Sequence, residues 1–144
     1  MPAAPAAERD GDADGSAEAC PENRLWADCP EAAWASRVAE RAGFAVTGDT
    51  QSALIVEGRG ASFYLWATPL TKPVAEIAVE EGWRRLGRSG GAAVYGDGRL
   101  WQWWVAQQRV VWLKAGPTPS ARLPTLTELA ALVRAGRELA VTAK

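Results

Sequence analysis

The stretch Gly91–Pro117, GAAVYGDGRLWQWWVAQQRVVWLKAGP, decides the fold of this chain. Its large apolar residues are aromatic or branched, and they run in short blocks broken at Gly96-Asp97-Gly98 and at Gln107-Gln108. Blocks of that length bounded by turn residues read as antiparallel strands. The expected strands are Ala92–Tyr95, Leu100–Ala106 and Arg109–Ala115. Upstream, at an offset of 48, lies Gly43–Pro69, GFAVTGDTQSALIVEGRGASFYLWATP, which aligns on the first stretch without a gap. Gly43, Ala45, Val46, Gly48, Asp49, Leu65, Ala67 and Pro69 meet identical residues there, eight in 27 positions. Hydrophobic pattern and turn signals coincide as well, so 43–69 and 91–117 read as an internal repeat. The first copy supplies strands Phe44–Thr47, Ser52–Glu57 and Ser62–Ala67, with a hairpin turn at Arg59-Gly60.

Helical periodicity surrounds these meanders. Glu31–Arg41 sets Trp34 and Val38 on one stripe with Ala42. Pro73–Leu86 opens with a proline at a first-turn position and carries Ala75, Val79, Gly82 and Leu86 along one side. Thr125-Leu126-Thr127-Glu128 has the spacing of a capping box, and Leu129, Leu132, Val133 and Gly136 extend its helix to about Leu139. The expected class is α+β: a duplicated helix–three-strand unit in the order α-βββ-α-βββ-α, forming an antiparallel sheet with helices on one face.

Strand parity then sorts the side chains, because alternate residues point to opposite faces. One face collects Phe44, Val46, Leu54, Val56, Phe63, Leu65, Val94, Leu100, Trp104, Val111 and Leu113, with Gln102 as the lone polar intruder. This is the face for helices to cover. The other carries Ile55, Tyr64, Trp66, Tyr95, Trp101, Trp103 and Trp112, interspersed with Thr47, Glu57, Ser62 and Arg99. Trp103 is expected opposite Trp112, and Trp101 opposite Lys114, where a cation–π contact is within reach.

Composition narrows the chemistry. The 144 residues suit a single domain of residues 20–144, behind a leader (1–19) of Ala, Pro, Gly, Asp and Glu expected to be a disordered acidic tether. Residues 1–31 hold eight acids against Arg9 and Arg24, while the other 113 residues hold fourteen bases against nine acids. No apolar run approaches the roughly 18 residues a membrane-spanning helix needs. The chain has no histidine, which removes His-dependent triads, zinc sites and imidazole bases from consideration. No metal or other cofactor is expected. Asp49 and Asp97 fall in equivalent turns, where two carboxylates could in principle do acid–base work, but Gly-Asp is an ordinary turn sequence, the better explanation. No serine or cysteine has a base beside it in the sequence pattern. The expectation is a protein that is not an enzyme.

Cys20 and Cys29 are the only cysteines and bracket one short loop. That spacing suits neither a two-residue redox motif nor a metal site, and an even pair closing a loop suits a disulfide in an exported domain. The chain is therefore expected in an extracytoplasmic or cell-envelope setting, or in the cytoplasm if both are free thiols. The aromatic face is the candidate partner-binding surface, through Tyr64, Trp66, Tyr95, Trp101, Trp103 and Trp112. Rings of this kind give large, rigid contact area for a protein, peptide or glycan. A homodimer using the same face is the first alternative. Single-stranded nucleic acid is the second, with Arg59, Arg84, Arg85, Arg88, Arg99 and Arg109 tracking phosphates and the rings stacking on bases.

Overall fold

The computed structural model describes Trp26, residues 29–116 and residues 121–140. Helix α1 spans Pro30–Arg41 and is followed by strands β1 (Ala45–Asp49), β2 (Leu54–Gly58) and β3 (Ala61–Pro69). Helix α2 is Val74–Glu81. Four strands come next: β4 (Arg84–Ser89), β5 (Ala92–Gly96), β6 (Trp101–Ala106) and β7 (Arg109–Ala115). Helix α3, Leu126–Glu138, ends the described fold. All seven strands join one antiparallel sheet in the order β1-β2-β3-β7-β6-β5-β4. The class is α+β.

Both long hairpins have the expected turns and the same register. Leu54 pairs with Leu65 across Arg59-Gly60, and Gln102 pairs with Leu113 across Gln107-Gln108, each position shifted by 48. Both residues of each turn have positive φ, the geometry whose twist matches a two-residue hairpin. Glutamine resists that conformation, so the second turn depends on its surroundings. The Gln107 side chain donates to Arg137 O at 2.8 Å, Leu70 N–H donates to Gln108 O at 3.0 Å, and Arg109 Nη1 donates to Gln107 O at 2.9 Å.

The order α-βββ-α-βββ-α needs correction in the middle. The helix expected over 73–86 stops at Glu81 because Gly82 adopts a left-handed conformation (φ 72°), where it caps the helix. Arg84–Ser89 instead pairs with β5 around Gly90-Gly91, a glycine pair suited to a tight hairpin. The second half thus has four strands.

Helices on one face is the second expectation to change. α1 and α3 pack against each other and against one face, α1 over β1–β3 and α3 over β4 and β6. Between them lie Trp34, Val38, Phe44, Val56, Phe63, Leu65, Trp104, Val111, Leu113, Leu129, Leu132 and Val133, all buried in one core. α2 is elsewhere. β7, β6 and β5 separate β3 from β4, so residues 70–83 must cross a face of the sheet to connect them. Trp83, whose N–H bonds Ala78 O at the end of α2, packs on Trp101 and Trp112. The crossing therefore runs over the aromatic face.

Polar groups tie the core together. Gln102, 8 % exposed, donates to Pro124 O at 3.0 Å and holds the approach to α3 against β6. Thr125 and Glu128 form the capping box, bonding each other's backbone N–H. Trp34 Nε1 donates to Leu139 O at 2.7 Å and links α1 to the end of α3. Arg109 at the start of β7 donates through Nε and Nη2 to Glu31 Oε2 at 3.1 and 3.0 Å, with both side chains almost wholly buried. Leu100, expected in the core, is 46 % exposed: it belongs to the turn before β6 rather than to a strand.

Candidate functional site

The aromatic face is built from cross-strand rows. Trp66 of β3 pairs with Trp112 of β7, Trp112 with Trp103 of β6, and Trp103 with Tyr95 of β5. These four rings form an unbroken line over four neighbouring strands. A second row runs Ile55, Tyr64, Lys114, Trp101. Antiparallel pairing holds opposed side chains about 4.5–5.5 Å apart at Cβ, so large rings set opposite one another must meet.

They meet in varied geometries. Tyr95 stacks on Trp103 with centroids 4.5 Å apart at 17°, and Trp66 lies nearly parallel to Trp112 at 6.3 Å. Trp66 meets Trp101 edge-on at 5.8 Å and 79°, while Trp103 tilts against Trp112 at 5.7 Å. The Lys114 ammonium sits 5.2 Å from the centre of the Trp101 ring, the cation–π contact expected from register. Trp112 Nε1 donates to Thr68 Oγ1 at 2.9 Å, which fixes its ring direction.

The six expected site residues come together on this face, but they are not equally open. Tyr64, Trp66, Tyr95, Trp101 and Trp112 are half-buried. Trp103 is completely buried, and its indole N–H is without an acceptor among the described residues. Its role is to support the rings around it. Val110, on the same side, is also buried. Sequence parity missed Trp83, which lies outside both repeats and was expected within a helix. It packs 5.9 Å from Trp101 and 6.3 Å from Trp112, so it belongs to the same cluster.

The alternative sites fare differently. Asp49 and Asp97 do not meet: β1 and β5 lie five strand spacings apart, about 24 Å. Asp97 Oδ1 instead accepts the backbone N–H groups of Arg99, Leu100 and Trp101 at 2.8–3.1 Å. Burial pushes its carboxyl up, but these three donors together outweigh it and hold the group below the ordinary range. The arginines proposed to track phosphates do not make one track. Arg109 is buried on Glu31; Arg59 donates to Ala42 O and covers the Phe44 ring; Arg88 donates to Gly91 O. Arg84, Arg85 and Arg99 are exposed. Cys29 is buried just before α1, and no free cysteine occurs among the described residues. Its expected mate Cys20 lies outside the described residues, as does the expected tether. No described helix is long and apolar enough to cross a membrane.

No protein-family model matches this chain, and no curated protein or solved structure matches it significantly.

Proposed function

We propose that this domain is a non-catalytic interaction module that takes a protein or peptide partner on the aromatic face of its sheet. The observation that carries the reading is the line Trp66–Trp112–Trp103–Tyr95, flanked by Tyr64 and Trp101, in which every ring but Trp103 is half open to solvent. Half-covered rings combine large apolar contact area with little side-chain entropy to lose, the property that makes Trp and Tyr frequent binding anchors. A buried Trp103 behind them keeps the exposed rings in place. The two meanders are read as copies of one unit, which their common hairpin register supports. The domain is read as exported or envelope-associated, with Cys29 bonded to Cys20.

Peptide display against the immobilised domain tests the function. Selected sequences should lose binding to Trp66→Ala and Trp101→Ala while these variants keep the wild-type circular dichroism spectrum. A wild-type protein that is dimeric by light scattering and becomes monomeric in those variants would assign the face to self-association instead. A salt-sensitive shift of a dT12 oligonucleotide, lost in the same variants, would move the reading to single-stranded nucleic acid.

A further inference from the structure

We infer that β1 is an open sheet edge that pairs antiparallel with β1 of a second copy of this chain, joining two sheets into one. This goes beyond the proposed function and uses a different surface. The two halves of the sheet meet in a twofold register. Leu65 pairs with Leu113, 48 residues on, and the flanking pairs Tyr64–Lys114 and Trp66–Trp112 exchange under the same shift. β1 and β5 therefore hold equivalent positions, yet β5 has β4 on its outer side and β1 has no described strand there. The unpaired N–H and C=O groups of a sheet edge are a template for another strand.

The two edges of the sheet are not equally protected. β4 presents Arg84, Arg85 and Arg88 to solvent, has an irregular register, and is tied to α3 where Ser89 Oγ donates to Leu126 O. β1 reads Ala-Val-Thr-Gly-Asp, without Lys, Arg or Pro, and its one guard is the irregularity between Val46 and Gly48. Residues 1–25 are poorly suited to fill this edge, because they contain no β-branched or aromatic residue. They also join the fold at Trp26, whose N–H donates to Gln51 O beyond the Asp49 end of β1. A segment running straight back along β1 from there would lie parallel to it, the reverse of the β4–β5 pairing.

Charge favours a second copy. Asp49, exposed at one end of β1, has a carboxylate with no hydrogen bond or ion pair among the described residues. At the other end Arg59 is exposed and lies 5.3 Å from the centre of the Phe44 ring. Asp49 and Phe44 share a face, since Asp49 pairs with Leu54 and both Leu54 and Phe44 belong to the core. With Gly48 opposite Ala45 of the second copy, Asp49 comes beside Phe44 of that copy, next to its Arg59. Twofold symmetry repeats the contact, so each end of the joint carries an opposite-charge pair.

Sedimentation velocity over about 1 µM to 1 mM should show a reversible monomer–dimer equilibrium, weak because one strand pair is smaller than a standard interface. Backbone amide shifts of Ala45–Asp49 should move with concentration while the indole resonances of Trp66, Trp101 and Trp112 stay fixed. Asp49→Lys should weaken dimerisation at least ~10-fold, and adding Arg59→Glu to it should restore the affinity to within about threefold of wild type. Arg59 also donates to Ala42 O, so Asp49→Asn stands in if the double variant fails to fold. Wild-type dimerisation should then fall between about 50 and 500 mM salt, and that of Asp49→Asn should fall less. A monomer throughout, a dimer whose shifts fall on the aromatic rings, an Asp49→Lys dimer as tight as wild type, or equal salt dependence in Asp49→Asn overturns the edge pairing. Trp66→Ala and Trp101→Ala should leave this dimer intact, so the edge and the aromatic face fail separately.

Discussion

The face under α1 and α3 and the face crossed by α2 are two sides of one sheet closed in different ways. Under α1 and α3, Trp34, Trp104, Phe63, Leu65 and Leu113 are fully buried, and two long helices with matching apolar stripes seal them. On the other side only the middle of the aromatic cluster is sealed, at Trp103 and Val110. The remaining rings are half-buried; Trp83 packs on two of them, after a short helix that buries none of its own residues. Both faces carry large apolar side chains, so apolar content alone does not make a core of either. What separates them is the length and fit of the covering element, and that makes one face a core and leaves the other available.

Breaking the Glu31–Arg109 pair tests the closed face most severely. Arg109→Ala should cost about 3–5 kcal/mol, because it strands a buried carboxylate, whereas Glu31→Leu with Arg109→Met together should cost far less. Denaturant melts of the two single variants and the double variant check this. Equal losses in all three would show the pair to be a packing unit rather than an ionic one.

The tryptophans sharpen the contrast directly. Trp104→Ala and Trp103→Ala should each cost roughly 3–5 kcal/mol as fully buried rings, although they point to opposite faces. Trp101→Ala, half-buried on the same strand, should cost only about 1 kcal/mol, the scale of its ring and cation contacts. A Trp101→Ala loss as large as that of Trp103 would erase the difference between an open ring and a core ring.

The smallest expected effects lie at the start of α3. Thr125→Ala should lower stability by about 1 kcal/mol through loss of the cap. Glu128, bonded by the Arg122 guanidinium and then by Thr125 N–H, is held down at about 2 from 4.5. A carboxyl lowered on folding stabilises fully above its unfolded value and loses that contribution as pH falls through the folded one. The stability gap between wild type and Glu128→Gln should therefore be constant above about pH 5 and shrink towards pH 2. A gap independent of pH would remove the carboxylate from the cap.

Much of this was legible because hairpins and caps are local. The positions of Arg59-Gly60 and Gln107-Gln108 set the pairing of Trp103 with Trp112, and parity then placed six aromatic residues on one side. Strand β4 was not legible, because Arg84-Arg85-Leu86-Gly87-Arg88 carries no alternation that competes with a helical reading, and only Gly82 and Gly90-Gly91 mark its limits. Trp83 was hidden for the same reason: inside a helix it would have been one apolar residue among several.

By itself the sequence determined the two hairpins, their common register, the capped third helix and the split of aliphatic from aromatic side chains, since each follows from contacts between near neighbours in the chain. Only the tertiary structure decided which side α2 crosses, that Arg109 goes inside to meet Glu31, and that Trp103 is sealed while Trp101 is not. The crossing depends on where β4 joins the sheet: placed beyond β5, it forces residues 70–83 across one face, and Trp83 on Trp101 and Trp112 marks that face as the aromatic one. Strand order in a sheet is a long-range choice, and no local pattern encodes it.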